Sequence, residues 1–419
     1  MAKPKLIQVF EHQRLLKNNT YDGVRFEDRY FRALLKLNEL HNSKYFTPIY
    51  EGIKFSGYVG VLQVDDLVIE VLPKVEGCTA ENNQWRDVLI EMLRVTHQLK
   101  VNELGQASVA RQSIHLLDIY FDWFLTEVEQ LVHAGLIKQY RKETKNTLAL
   151  KGKLEFAGHI RKNLVHQERF YTTHQVYDQD HLLHRVMNEA LQVVEVMSKG
   201  TYRYGRCKAV QLNFPEVSAL VVVAQTFDKI GFNRKNQAYQ TVIALARLII
   251  LNYSPNVKHG DEQMLALMFD MNDLWEKYVL AKLQQQANGE WLVKGQDSKR
   301  FWEYKTIRPD IVLQHIASGE IVIIDTKWKN YAYDRIGMDD LRQIYVYNEF
   351  WEAKLGMLLY PSPQGSKIAV RGAYARNGYL GQIVVVTVLD SEGRLNKELG
   401  YNLFRLVSNA LLELVYVSD

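Results

Sequence analysis

Four apolar, β-favouring residues, Ile321-Val322-Ile323-Ile324, run straight into Asp325-Thr326-Lys327. A continuous Ile/Val run of this kind predicts a strand buried on both faces. Such a strand needs covering layers, so the domain holding it is α/β. The charged end of the run is the tighter constraint. Residues two apart share one face of a strand, so Asp325 and Lys327 point the same way. They do so at a strand end, where α/β sheets tend to place their sites. Upstream, Arg308-Pro309-Asp310 opens a second β-rich run, 311–314, and Ser318-Gly319-Glu320 joins the two as a hairpin-like turn.

Two carboxylates beside one ammonium suit a hard cation. Mg2+ prefers oxygen ligands in octahedral geometry and keeps several waters. Asp310 and Asp325 would supply two ligands and the Thr326 carbonyl a third, with Lys327 beside the attacking water or the phosphate it neutralises. The plain alternative is a pair of strand-end charges with a solvated lysine, since such short strings also occur by chance. The context of an apolar strand ending in charge favours the site. Glu276, in Met271-Asn272-Asp273-Leu274-Trp275-Glu276, lies on the preceding predicted helix and is placed to face the site as a further metal ligand; taken alone it reads as a surface charge. Gln343 and Tyr347, four apart, share a helix face. Gln343 is placed to hold a metal-bound water or a phosphate, with Tyr347 beneath it or against DNA.

The rest of the chain predicts helices over 26–40, 85–96, 114–134, 179–198, 237–252, 264–285 and 341–354. Strands are predicted over 59–64 and 67–72, with Asp65-Asp66 as their turn, and over 291–293, 304–307, 356–360 and 383–388; residues 136–156 read as extended. This order divides into a mixed α+β module over residues 1–165, a largely helical module over 166–260, and a C-terminal α/β domain over 261–419 with a central mixed sheet flanked by helices.

In this order and spacing, several motifs resemble the McrC family, the nuclease subunits of the McrBC modification-dependent (type IV) restriction system. They are Ile69-Glu70-Val71-Leu72-Pro73-Lys74, Lys151-Gly152-Lys153-Leu154, His159-Ile160, Arg185-Val186-Met187-Asn188, Phe232-Asn233-Arg234-Lys235-Asn236 with Tyr239, Phe269 to Glu276, the Asp310/Asp325/Lys327 set, Gln343 with Tyr347, and Leu359-Tyr360-Pro361. The resemblance implies a C-terminal nuclease of the PD-(D/E)xK type, with Asp310, Asp325 and Lys327 catalytic and Glu276 and Gln343 at flanking helix positions. It implies endonucleolytic cutting of double-stranded DNA with Mg2+, for which Mn2+ substitutes, as part of phage defence. It also implies a partner, a hexameric AAA+ GTPase of the McrB type. That partner reads modified cytosine and moves DNA, while the McrC-like chain enters its pore and stimulates GTP hydrolysis. One departure is Trp275, where the family often has phenylalanine, a conservative aromatic exchange.

Charge is nearly balanced, 52 basic against 48 acidic residues, so any nucleic-acid surface is a local patch. Lys199, Arg203, Arg206 and Lys208, interleaved with Tyr202 and Tyr204, suit a phosphate backbone or form a solvated face; the sequence leaves both open. A second patch over 138–153 includes Arg141 and Lys142. Under the resemblance it falls in the region expected to enter the motor pore, where a cation would help a neighbouring GTPase site. His181 and His184 share a helix face but lack a third ligand, which favours a structural role.

Absences narrow the classes further. No GxxxxGK[ST] occurs, so the chain is expected to bind no nucleotide itself. HExxH and paired CxxC are also missing, which argues against a zinc hydrolase. Two distant cysteines, Cys78 and Cys207, and no apolar leader or membrane-length segment suit a cytoplasmic protein. Double-strand cleavage needs two sites, so transient pairing through the nuclease domain is expected. Two other classes remain: a non-cutting regulatory adaptor of the motor, and a stand-alone DNA repair nuclease.

Overall fold

The computed structural model describes residues 5–75, 82–96, 116–255, 263–331, 337–363, 365–376 and 378–417. The chain divides into two compact units. One is made of Gln112–Leu267 with Gln63–Asp66; the other of Lys5–Leu62, Leu67–Arg111 and Met268–Asp419. Residues 1–165 are thus shared between both units.

In the second unit, a six-stranded mixed sheet runs in the order Trp291–Gly295, Ile311–His315, Ile321–Thr326, Leu355–Ser362, Leu380–Thr387, Lys367–Ala373. Its three central strands, Ile321–Thr326, Leu355–Ser362 and Leu380–Thr387, are mutually parallel, and antiparallel strands close both edges. This matches the expected α/β order with a central mixed sheet. Alternation assigns Val312, Ile323, Leu358, Tyr360, Ile383 and Val385 to one face. There they meet Ile344, Tyr347 and Trp351 of the helix Met338–Trp351 in one buried core. Each such fully buried side chain contributes on the order of 1.5–3 kcal/mol relative to exposure.

Two local features fix that helix. Asp339 and Asp340 in its first turn complement the helix dipole, and Glu352 ends it in a left-handed conformation. Gly356 lets it lie close to the sheet, because a Cβ there would run into Ile344 and the Asn348 amide.

The expected helix over 264–285 is corrected. Gln263–Asp270 is a strand, and the helix is Met271–Gln286. The apolar run Met264-Leu265-Ala266-Leu267 fits either period. The break is set by Asp270, whose side chain caps the helix by accepting from Asn272 N and Asp273 N. The same unit holds Lys5–Phe10, paired in parallel with Leu67–Leu72. Asp65 turns the chain between Tyr58–Val64 and Leu67–Leu72 with φ of 50°, as the sequence predicted for that turn.

The first unit contains the helices Leu116–Ala134, Leu182–Met197, Tyr202–Asn213 and Gln240–Asn252, and a three-stranded antiparallel sheet ordered Lys153–Leu154, Phe170–Asp178, Gln139–Thr147. The module over 166–260 therefore opens with a nine-residue strand, Phe170–Asp178, that was not anticipated. Of the extended stretch over 136–156, only Gln139–Thr147 and Lys153–Leu154 form strands. No helix among the described residues is long and apolar enough to cross a membrane.

Candidate active site

The sheet register builds the site. Ile311 lies opposite Ile324, so one further step along both strands sets Asp310 beside Asp325. Asp310 Oδ2 accepts from Thr326 N at 2.7 Å and Thr326 Oγ1 at 2.9 Å, which fixes its carboxylate against the strand end. Asp325 continues the apolar face of Ile321 and Ile323 and is 1% exposed. Its Oδ2 lies 2.7 Å from Lys327 Nζ, and its Oδ1 accepts from Gln343 Nε2 at 3.1 Å.

The helix Met338–Trp351 supplies the other wall. Gln343 Oε1 accepts from Lys327 Nζ at 3.3 Å, and its Nε2 also donates to Tyr347 Oη at 2.8 Å. Tyr347 in turn donates to the Arg308 carbonyl at 3.0 Å. One amide thus links the Asp325–Lys327 pair to the segment that carries Asp310. Tyr347 is buried, which corrects its assignment to DNA contact: its hydroxyl acts inside the fold.

Asp340 was not anticipated. Its Oδ1 lies 3.7 Å from Lys327 Nζ, and its Oδ2 accepts from Lys329 at 2.7 Å. Lys327 is therefore shared by two carboxylates and an amide. Trp328, next along, donates its backbone N–H to Asn272 Oδ1 and its indole N–H to Glu11 Oε1. Glu11 was missed as well; its only sequence signal was a charge directly after a strand.

Burial and neighbouring charge shift the titration of the site's groups. Burial and then the charge of Asp310 push Asp325 up to about 6, against the pull of Lys327. Burial and then Asp310 push Glu276 up to about 7; its Oε1 accepts from Gln296 Nε2 at 2.8 Å. Burial pulls Lys327 down, but Asp325, Asp340 and Asp310 outweigh it and hold the ammonium above its ordinary value.

Among the described residues, no three His, Cys, Asp or Glu side chains converge closely enough to hold a metal by themselves. The donor set still fits Mg2+, which takes one or two carboxylates and completes its shell with waters and backbone oxygen. Asp310 and Asp325 would hold it with the Thr326 carbonyl, and Glu276 would act at the edge.

The other sequence candidates lie elsewhere. Arg203 is 5% exposed and binds Asp118 at 3.0 Å and Asp122 at 2.8 Å, so a buried, paired guanidinium replaces the expected phosphate contact. Arg206 binds Glu129 and Asp122, and Lys208 binds Glu195. Lys199 is exposed. Arg141, on Gln139–Thr147, is held by Asp178 and Glu143, while its neighbour Lys142 is exposed. His184 bonds the Gln179 carbonyl and Tyr239 Oη, and His181 the Ile137 carbonyl; both are buried, in the structural role expected of them.

Residues 53–361 match the family model described as McrBC 5-methylcytosine restriction system component. The chain belongs to this family. Asp310, Asp325, Lys327 and Gln343 all lie inside the matched span. Among McrBC-family relatives, the type IV methyl-directed restriction enzyme EcoKMcrBC of Escherichia coli strain K12 is 23% identical over 306 residues, covering 67% of this chain and 86% of that one. The fold resembles a chain in the half-complex of Thermococcus gammatolerans McrB AAA+ hexamers with bound McrC, with a TM-score of 0.69 at 20% identity, over 97% of this chain and 100% of that one. A chain of the Thermococcus gammatolerans McrBC complex aligns with a TM-score of 0.50 at 20% identity, over 68% and 88%.

Proposed function

We propose that this McrBC-family chain is the nuclease subunit of its restriction system, of the McrC type, and that its mixed-sheet domain is a Mg2+-dependent endodeoxyribonuclease of the PD-(D/E)xK type. The observation that carries this reading is the convergence of Asp325, Lys327 and Asp310 at one end of the sheet, with Gln343 tying the first two together. A bound Mg2+, or Mn2+ in its place, would polarise the scissile phosphate and acidify a water. Asp310 and Asp325 would hold that ion. Lys327, kept charged by its carboxylate neighbours, would orient the water or neutralise the phosphate. Gln343 holds Lys327 and Asp325 in register for this role, and Glu276 would take up a proton at the margin.

The partner in this reading is a hexameric AAA+ GTPase of the McrB type, which the solved relatives' assemblies make the natural candidate. Exposed apolar side chains Leu148, Leu150, Phe156, Ile160, Leu164 and Val165, on and beside the three-stranded sheet, suit insertion into such a partner. Arg141 and Lys142 lie on the same sheet, and replacing both with alanine is expected to lower the partner's GTP hydrolysis. Cutting both DNA strands would need two copies of the site and hence transient pairing of this domain.

The test is Asp325→Ala and Lys327→Ala in a complex reconstituted with the partner GTPase. Cleavage of methylated plasmid should vanish while GTPase stimulation survives. Retained cutting by either variant would overturn the assignment. Loss of Mn2+ binding by Asp310→Ala, read by electron paramagnetic resonance, would separate this reading from a metal-free adaptor.

A further inference from the structure

The cations of 199–208 are mostly neutralised within their own unit, but others in that unit are not. A cavity of about 1150 Å3 opens where the base of the antiparallel sheet meets the loop after Ala224–Asp228. Lys138 lines it from one segment and Lys229 and Lys235 from another, and all three are exposed without a carboxylate partner among the described residues. No acidic residue lines the cavity. The nearest carboxylates along the strand, Asp178 and Asp180, are already held by Arg141 and Arg185.

The walls are built rather than loose. Buried Asn236 accepts from Asn233 N at 2.6 Å and donates to the Gly231 carbonyl at 3.0 Å, while Asn233 Oδ1 accepts from Lys235 N at 2.9 Å. This knits the loop that presents Lys229 and Lys235. Opposite, Ile137 N donates to Tyr239 Oη, anchoring the segment that presents Lys138. Tyr140 and Tyr177 flank the opening with ring centroids 4.6 Å apart, yet they are 72% and 55% exposed.

We propose that this cavity binds the phosphate backbone of nucleic acid, with Lys138, Lys229 and Lys235 as the phosphate contacts and the Tyr140–Tyr177 pair against sugar or base. Unpaired ammonium groups gain most from a phosphate, because binding releases condensed counterions without first breaking an internal ion pair. An exposed aromatic pair beside them suits the planar and sugar surfaces of a nucleic acid. The site rests on the reading of this chain as a DNA-acting protein, and it is tested without cleavage.

Binding of a fluorescein-labelled DNA duplex to the full chain is read by anisotropy in EDTA across a salt series. The triple variant Lys138→Ala, Lys229→Ala, Lys235→Ala should bind more weakly, and its plot of log affinity against log salt should be flatter by about 3, near 0.9 for each lost phosphate contact. A control variant, Arg32→Ala, Lys354→Ala, Arg394→Ala, removes the same charge from exposed cations that are already ion-paired. It should keep the wild-type slope. Three results would overturn the assignment: no binding by wild type, an unchanged slope in the folded triple variant, or an equal loss in the control. Because EDTA removes divalent ions, this outcome and that of the cleavage test stand independently.

Discussion

The indole N–H of Trp328 donates a 2.6 Å hydrogen bond to Oε1 of Glu11, joining residues 317 positions apart. Lys74 N donates to the same oxygen at 3.1 Å. The end of the first strand is thereby tied to the residue that follows Lys327. Glu11 is 8% exposed, and burial pushes its carboxyl up to about 7, against the pull of Trp328 and Lys74. A carboxyl whose folded value is raised favours the fold when protonated. Its contribution is full below the ordinary value of 4.5 and is lost as pH rises toward 7. Glu11→Gln keeps an acceptor for Trp328 and removes the buried charge. It should stabilise the protein at pH 8, by up to about 3 kcal/mol, and be neutral near pH 4. Urea unfolding midpoints across that range check it; a constant difference would refute the titration.

Tyr347→Phe removes the hydroxyl between Gln343 and the Arg308 carbonyl while keeping the ring in the core. The expected stability loss is about 1 kcal/mol. Cleavage should fall several-fold without loss of DNA affinity, because Gln343 loses one of the contacts that align it with Lys327. Single-turnover cleavage beside anisotropy separates the two effects.

Gly356→Ala places a methyl group against Ile344 and Asn348. The helix carrying Gln343 must shift away from the sheet, at a cost of about 1–3 kcal/mol. Thermal unfolding should show the loss, and cleavage should fall further than in Tyr347→Phe because the whole wall of the site moves.

Arg203→Ala removes the buried guanidinium that bridges Asp118 and Asp122, while Asp122 keeps Arg206. A destabilisation of about 1–3 kcal/mol is expected, visible in denaturant unfolding. Arg203→Lys should recover only part of it, since a point charge cannot hold both carboxylates in a fixed fork.

The central strand was legible because Ile321 to Ile324 is apolar without interruption, and the pleat alone fixes Asp325 and Lys327 to one face. Gln343 and Tyr347 were legible through helical spacing. Glu11 and Asp340 were not, because each meets the site through tertiary contacts that no local period encodes. Phe170–Asp178 escaped notice for another reason. Its partner Gln139–Thr147 alternates between half-buried and exposed positions, but nearly all of its side chains are polar, so the sequence shows no apolar alternation there. At 264–270 the apolar run fits both periods; the signal that would have decided it is Asp270, a capping residue with Asp273 three positions on. The patch over 199–208 misled because a sequence lists charges without showing which acids lie beside them.

The unit that contains Asp325 is written in the gene as pieces on either side of the other unit. During synthesis the stretch Gln112–Leu267 is nearly self-contained when it leaves the ribosome, whereas Lys5–Leu62 must wait for Met268–Asp419. A nascent chain halted before residue 268 would hold Glu11 without the Trp328 indole that donates to it, and the helix Asn82–Val95 without Met271–Gln286. Expression of residues 1–267 alone should therefore leave the unit that holds Asp325 incomplete and prone to aggregate, and that unit should appear whole only once the last third of the chain has been made.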